Sequence, residues 1–441
     1  MILGLGVGAF LWNPLAGAIG RRPTYLIAWV LFLAFTFWNA FSPTLESFFA
    51  ARFFAGFAGS VTQCLPVASI IEMYRPQWRG TAIGLWSLFL TLGPPTAPII
   101  GSAVTLSHKW QYVYYVDLIF AGVALIMLIF LCPETMYIPP SQEALREAMG
   151  SQHGEYSSGI AKPNSNIEDD QEKSDPLYVA TDDSSSARPP ISGRIGMLYN
   201  PLKEPKRFII AALLPLRLMG YVTMSLPALY GAIVFGWGVG FTILIPQSVA
   251  RPPYLFSGMI LACCYIPFLV GSLLGKILGG VGSDWTMAFM ARRSGGVRQP
   301  EHRIWNLFPG VILSFIGLMV YGFGFGHYMA WWVPVVFGVG IYYIGVVSLT
   351  GAIQAYLSDT APAVGIASVQ VYNFFKTVWS FGIPFWIAEL VGLESWAMGD
   401  GSMMVTGNVA EAVIVLVFGL LLCVGLILFG KKLRTAQKLG M

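Results

Sequence analysis

Apolar stretches of about 20 residues or more recur along this chain, and they constrain its fold more than any other feature. A helix of that length crosses the hydrocarbon core of a bilayer. Only 11% of the 441 residues are charged, whereas soluble domains carry about 25%. The sequence therefore predicts an all-α polytopic membrane protein with about eleven spans, over 2–19, 25–42, 48–71, 82–104, 112–132, 219–246, 256–280, 305–325, 331–355, 362–392 and 408–430.

Basic residues fall mostly in every second connection between these spans. The connections form two alternating sets, and the set with fewer basic residues holds only Lys109 and Arg251. Lysine and arginine concentrate on the cytoplasmic side of membrane proteins, so the richer set is predicted to be cytoplasmic. The first span then runs inward, and this parity predicts a further helix upstream of Met1. The richer set is Arg21, Arg22, Arg75, Arg79, Arg292, Arg293, Arg298, Arg303, Lys431, Lys432, Arg434 and Lys438.

The middle of the chain, 136–206, is polar and poor in bulky apolar residues. Such a segment cannot bury enough surface to offset its ordering entropy, so we expect a disordered cytoplasmic loop. It separates an N-terminal half-bundle of five spans, 1–135, from a C-terminal half-bundle, 207–430. The C-terminal half begins with a helix, 207–218, expected to lie along the membrane surface. Residues 431–441 are predicted to form a cytoplasmic tail.

The stretch NPLAGAIGRRP resembles a cytoplasmic loop motif of the major facilitator superfamily, which links the second and third helices. Gly20, Arg21 and Arg22 match the motif, while Gly17 stands where the family has an aspartate. The second half repeats the pattern weakly over 279–296, which suggests an internal duplication. The matching and basic residues of that repeat are Gly280, Asp284, Arg292 and Arg293.

Other motifs of this superfamily follow in the expected order. ARFFAGFAGS resembles the fourth-helix motif, IEMYRPQWRGTA the loop after it, and LGPPTAPIIGS the antiporter motif of the fifth helix. CPETMYIP and RRSGGVRQPEHRIW resemble segments of fungal drug:proton antiporters. The resemblance implies the major facilitator fold, which has two pseudo-symmetric helical bundles. It also implies that this chain begins at the second helix of that fold. The residues that match are Arg52, Glu72, Arg79, Gly93, Pro94, Pro98 and Gly101.

The resemblance also implies roles for these residues. The loop residues of both halves, with Glu72 and Arg79, would control conformational change, and Arg52 would couple transport to protons. The chemistry alone leaves alternatives open. A cation inside a bilayer costs at least ~2.5 kcal/mol, so Arg52 should face the bundle or water, but it could also snorkel or hold two helices together. The prolines of the fifth-helix motif would bend a helix that seals the cavity, or only kink it.

Polar and aromatic residues deep in the spans are candidates for a substrate cavity. Lys376 lies near the middle of its span, where a lysine marks a pathway, whereas Lys276 is expected to snorkel. GxxxG spacing over 271–279 predicts a close helix contact. For each aromatic residue, the alternative to lining the cavity is simple packing within the helix bundle. The cavity candidates are Gln63, Tyr230, Trp237, Tyr342, Tyr343, Asn373 and Lys376.

These features favour a transporter of small organic compounds, coupled to protons by antiport and working by alternating access. Two alternatives remain: a truncated or degenerate membrane protein that transports nothing, and a proton-coupled importer of organic cations such as polyamines. No catalytic, nucleotide-binding or zinc motif is present, so we expect neither an enzyme nor a cofactor or metal. The expected partners are substrate, protons and lipid but no nucleic acid. We expect a monomer in the plasma membrane rather than the vacuole.

Overall fold

The computed structural model describes residues 1–74, 76–135, 137–138, 194–195, 205–293, 299–361 and 365–437. Nearly all of these residues are helical, as the apolar stretches predict. Ten helical segments in these ranges are long and apolar enough to cross a membrane. The predicted span 362–392 is also a helix, although it is not among those ten. The predicted fold class is therefore confirmed.

The N-terminal part divides one predicted span into two helices. The span predicted over 48–71 breaks at Ser60, whose hydroxyl donates to the carbonyl of Phe57 at 2.7 Å. Such back-bonding by serine bends helices. The helices here are α1 (Ile2–Ile19), α2 (Arg21–Ala40), α3 (Leu45–Gly59), α4 (Val61–Met73), α5 (Pro76–Thr105) and α6 (Gln111–Leu131).

The C-terminal part contains two helices that run further than predicted. The first continues to Arg293, so Gly280 and Asp284 lie on a helix rather than in a loop, and the last continues to Ala436, into the predicted tail. The elements are α7 (Pro205–Leu218), α8 (Val222–Val249), α9 (Gly258–Cys263), α10 (Ile266–Arg293), a 3-10 helix (Pro300–Asn306), α11 (Leu307–Gly326), a π-helical turn (Val333–Gly338), α12 (Val339–Thr360), α13 (Gly365–Leu390), α14 (Leu393–Ala397) and α15 (Ser402–Ala436).

Most of the predicted loop over 136–206 lies outside the described residues, so its disorder stays a prediction. Two short strands, β1 (Tyr137–Ile138) and β2 (Arg194–Ile195), pair in antiparallel fashion within it. Helix α7, predicted to lie along the membrane surface, packs against α1 and α13.

Each half has its own apolar core. The larger core lies among α8, α11, α12, α13 and α15, and the smaller one surrounds Trp12 and Leu65 in the N-terminal half. Helices α1 and α13 pack together, and so do α5 and α10. The two halves therefore meet mainly along these two helix pairs, with smaller contacts of α1 with α7 and of α5 with α9.

The predicted close contact over 271–279 is confirmed. A Cβ atom added to Gly271 would lie 2.7 Å from the carbonyl oxygen of Gly340, and one added to Gly275 would lie 2.7 Å from that of Ile344. Gly279 meets Ser348 in the same way, at 2.8 Å. Only glycine allows the backbones of α10 and α12 to approach this closely.

Candidate functional site

The turn between α1 and α2 is held by a carboxylate from the end of α6. Glu134 accepts hydrogen bonds from the backbone amides of Arg21 at 2.9 Å and Arg22 at 3.2 Å. The first amides of a helix have no partner within the helix and carry its positive dipole end, so the carboxylate caps α2. The sequence predicted this turn but not its partner, which lies in the CPET stretch.

Gly20 is the residue that makes this capped turn possible. Its φ of +100° is unfavourable for residues with a side chain, and a Cβ atom there would lie 2.7 Å from Oε2 of Glu134. Arg22 adds a second tie, because its Nη2 donates to the carbonyl of Ile129 at 2.8 Å. The two arginines predicted to form a hinge therefore join α2 to the end of α6. We call Gly20, Arg21, Arg22 and Glu134 the N-terminal hinge.

The equivalent region of the C-terminal half is held by side chains. Arg303 on the 3-10 helix donates from Nε to Asp359 at 2.7 Å and from Nη1 to Asp284 at 3.0 Å. Its Nη1 also donates to the hydroxyl of Ser283 at 3.1 Å. Glu301 on the same helix pairs with Arg434 of α15 at 3.4 Å. We call Asp284, Glu301, Arg303, Asp359 and Arg434 the C-terminal hinge.

The other predicted gating residues are not brought into this cluster. Arg292 and Arg293 are exposed at the end of α10, and Arg293 lies 4.7 Å from the ring centroid of Phe289. In the described chain, Asp284 pairs with Arg303 and with neither of them. Glu72 and Arg79 are on α4 and α5, but their side chains lie outside the described part of the structure.

Arg52 lies on α3 among aromatic rings from α3 and α6. Its guanidinium carbon is 5.9 Å from the centroid of Phe48 and 5.4 Å from that of Tyr114. Asp117, one turn further along α6, interacts with Arg52 through its charge. Cation–π contacts of this kind contribute about 0.5–1 kcal/mol at exposed sites. The structure thus supplies a carboxylate near Arg52, at a residue that the sequence did not connect with it.

The prolines of the antiporter motif lie inside α5, but its glycines do not make close contacts. Pro94, Pro95 and Pro98 interrupt the hydrogen bonds of this helix. Among the described residues, a Cβ atom on Gly93 would meet nothing within 4 Å, and one on Gly101 would only touch Val113 at 4.0 Å. In this conformation, neither glycine lies at a close contact with another described helix.

Lys276 does not snorkel to the membrane surface as expected. Its ammonium donates to the hydroxyl of Ser87 at 2.5 Å, across the contact between α10 and α5. At the other pair of helices, Gln370 of α13 donates to the carbonyl of Ala9 at 3.2 Å. Each contact between the halves thus contains a polar side chain of the C-terminal half.

The predicted cavity residues separate into two groups. Tyr230 and Tyr342 have no exposed surface, and their hydroxyls donate to the carbonyls of Val415 and Val234. Trp237 is also buried, and Tyr343 donates to the carbonyl of Gly238 at 3.0 Å. In this conformation these four pack inside the C-terminal bundle, so a role in the cavity stays a prediction for them.

The second group lies nearer to the contact between the halves. The ammonium of Lys376 is 5.0 Å from the ring centroid of Phe235 and 5.7 Å from that of Tyr372. Asn373 is buried one turn earlier on α13. Gln63 is half-buried on α4. Lys376 and Asn373 share the helix that packs against α1, and their role in a substrate cavity stays a prediction.

Sequence reasoning missed one further charged residue. Glu411 on α15 is only 3% exposed, and among the described residues its Oε1 has no hydrogen-bond partner. It lies inside a predicted span, which alone marks an ionisable residue for attention. Its electrostatic neighbours are Tyr321 and Tyr342. The structure therefore places a carboxyl group deep within the C-terminal bundle.

A cavity of about 530 Å³ lies apart from these residues. It opens between α10 and α12, and its lining is apolar, with Cys263, Cys264 and Trp331 among its residues. It contains none of the residues predicted to bind substrate, so it is not the candidate site.

This chain is a helical membrane protein, and its two halves meet mainly along two pairs of helices. Secondary transporters have this kind of architecture. The sequence model of the Major Facilitator Superfamily matches residues 1–387, and the chain belongs to this superfamily. Membership confirms the resemblance seen in the loop and helix motifs. It also points to transport rather than to enzymatic catalysis.

Fungal transporters are among its relatives. The chain is 24% identical over 454 aligned positions to "MFS antiporter QDR3" of Candida albicans, covering 86% of this chain and 65% of the relative. It is 28% identical over 406 positions to "Probable drug/proton antiporter YHK8" of Saccharomyces cerevisiae, covering 90% and 69%. The chain thus spans about two thirds of the length of these curated relatives.

Solved structures show the same fold. The xylose transporter XylE from E. coli, in a partially occluded inward open conformation, aligns with a TM-score of 0.53 at 16% identity, covering 96% of this chain and 85% of that one. The human organic anion transporter MFSD10 aligns with a TM-score of 0.53 at 14% identity, covering 95% and 81%. At these identities the likeness supports the fold alone.

Proposed function

We propose that this protein is a proton-coupled antiporter that moves small organic compounds across a membrane by alternating access. Its superfamily and the names of its fungal relatives support this proposal. The observation that supports the proton coupling is the charge interaction between Arg52 of α3 and Asp117 of α6 in the N-terminal half.

Among the described residues, Arg52 and Asp117 interact through their charges without a direct ion pair, and a proton on Asp117 would remove this interaction. An arginine stays charged at all accessible pH values, so the carboxyl group must be the partner that gains or loses the proton. When Asp117 is ionised, its charge holds the guanidinium among Phe48 and Tyr114. When Asp117 is protonated, that attraction disappears and α3 is free to move relative to α6.

The two hinges would make the rest of the cycle possible. The N-terminal hinge ties α2 to the end of α6, and the C-terminal hinge ties α10 to α12 and α15. Each half can then rock as a body about the helix pairs α1–α13 and α5–α10. The prolines of α5 place a bend in one of these pairs, and this supports their role as a seal.

The test is proton-driven dye flux in liposomes that contain the purified protein. Fluorescein and rhodamine 123 share a xanthene core and carry opposite charge, so together they detect transport of either kind of substrate. An imposed pH gradient should drive one of them across the membrane. Arg52→Ala and Asp117→Asn should each reduce this flux at least tenfold, because each removes one member of the switch.

Arg251→Ala is the matched control, since Arg251 lies in a loop outside the spans and its guanidinium donates to the carbonyl of Leu393. Its flux should equal that of the unchanged protein. Undiminished flux in both Arg52→Ala and Asp117→Asn would overturn the coupling role. If neither dye crosses under any gradient, the result favours the alternative of a membrane protein that transports nothing.

The membrane and the oligomeric state belong to the same proposal. The apolar helices make this a multi-pass membrane protein. We assign it to the plasma membrane, where an exporter removes compounds from the cell, and we treat the monomer as the working unit. Fluorescent tagging and mass determination in nanodiscs measure these two properties directly.

A further inference from the structure

Two lysines lie on helices of the C-terminal half that pack against the N-terminal half. Lys276 lies on α10, which packs against α5, and Lys376 lies on α13, which packs against α1. Both are partly buried, and their positive charges act on one another. Because the two helices belong to the same half, the lysines approach the pathway from one side.

Within the described chain, no carboxylate lies within 4.0 Å of the ammonium of either lysine, and Asp284, Asp359 and Glu301 pair with arginines instead. Lys276 has only the hydroxyl of Ser87, and Lys376 has only the rings of Phe235 and Tyr372. Two like charges inside a membrane protein are unfavourable unless something offsets them.

The groups around the two lysines indicate what kind of ligand would balance their positive charges. An ammonium group has three donors and suits a carboxylate or a sulfonate as a point charge. The ring of Phe235, which is only half-buried, offers flat apolar surface beside Lys376 and fits an aromatic or aliphatic body attached to the anionic group. Asn373 adds an uncharged polar group one turn away on α13.

We propose that Lys276 and Lys376 form the anion-binding end of the substrate site, and that the substrate is a small organic anion with an apolar body. The proposal rests on the proposed transport function and adds the chemical class of the substrate. It opposes the alternative of organic cations such as polyamines, because two unpaired lysines repel a cation. It also gives Lys276 a role in binding.

The test is equilibrium binding to the full chain in nanodiscs, measured by fluorescence polarisation at fixed ionic strength. Fluorescein should bind at least tenfold more tightly than rhodamine 123. Lys376→Gln and Lys276→Gln should each weaken fluorescein binding tenfold or more, while Lys376→Arg, which keeps the charge, should retain most of it. Lys109→Gln is the matched control, because Lys109 is an exposed lysine outside the spans, and it should leave binding unchanged.

A measurement on the unchanged protein avoids any folding defect of the variants. Benzoate should displace fluorescein, and benzylamine, its cationic counterpart of similar size, should not. Equal displacement by both compounds, tighter binding of rhodamine 123, or full fluorescein binding in both glutamine variants would overturn the proposal. Binding of the anion without proton-driven flux would instead refute the transport function and leave the anion site in place.

Discussion

The two hinges perform the same structural task with opposite charges. In the N-terminal hinge the turn is basic, and the carboxylate comes from Glu134 at the end of α6. In the C-terminal hinge the carboxylate of Glu301 is on the turn, and the cation comes from Arg434 near the end of α15. Both tie the last long helix of a half to a connection between spans, which follows the first predicted span in the N-terminal half and the second in the C-terminal half.

The hinges also differ in which atoms carry the contact. Glu134 bonds to backbone amides, so the N-terminal hinge depends on a backbone conformation and on one carboxylate. The C-terminal hinge depends on the guanidinium of Arg303, which reaches two carboxylates and a hydroxyl. The two ties therefore depend on different residues and on different kinds of contact.

Gly20→Ala should have the largest effect. The new side chain would meet Glu134 at a φ of +100°, and backbone strain of this kind costs about 1–3 kcal/mol before the lost capping bonds are counted. Thermal unfolding of the purified protein should therefore begin at a clearly lower temperature.

Gly280→Ala is the control for that substitution, because it alters the corresponding motif glycine of the other half. Gly280 is helical, and a Cβ atom there meets no described atom within 4 Å. Alanine is favoured over glycine in helices by about 0.5–1 kcal/mol, so this variant should be neutral or slightly more stable. Equal losses in the two variants would refute the difference between the hinges.

Arg303→Ala should have the next largest effect, about 1–2 kcal/mol. It removes charged hydrogen bonds from a largely buried side chain, but Asp284 and Asp359 are exposed enough for water to replace part of the loss. Arg292→Ala, which removes an exposed arginine from the end of α10, should change stability by less than about 0.5 kcal/mol. The unfolding midpoints of the two variants measure this contrast, and an equal loss in both would contradict it.

Exchanging the charges of Glu301 and Arg434 should have the smallest effect. Glu301→Arg and Arg434→Glu should each destabilise the protein, and the double variant should recover about 1 kcal/mol, because the pair is partly buried. A double-mutant cycle on the unfolding temperature gives this coupling. If the two losses simply add, the pair contributes nothing, and the charge reversal between the hinges is incidental.

The positions of the helices could be read from the sequence because an apolar stretch of sufficient length can only be a span. The turn at Gly20 could be read as well, since two arginines interrupt the apolar pattern there. The partner of that turn could not. Glu134 is 113 residues away from Arg21, and nothing local indicates which helix ends meet.

The same limit applies to the candidate site. A lysine inside a span is visible in the sequence, but the direction of its side chain depends on how the helix is rotated against its neighbours. That rotation is fixed by packing between distant segments, as when glycines of α10 meet α12. For this reason Lys276 was expected to reach the membrane surface, whereas it contacts Ser87 of the other half.

The glycine contact between α10 and α12 has a mechanical consequence. Helix α10 has 28 residues and is therefore a rod of about 42 Å, clamped to its neighbour at three successive turns. Lys276 and Asp284 are both fixed to this rod, eight residues apart. A tilt of α10 that moves Lys276 must also move Asp284. Movement at Lys276 is therefore transmitted directly to the C-terminal hinge through one rigid helix.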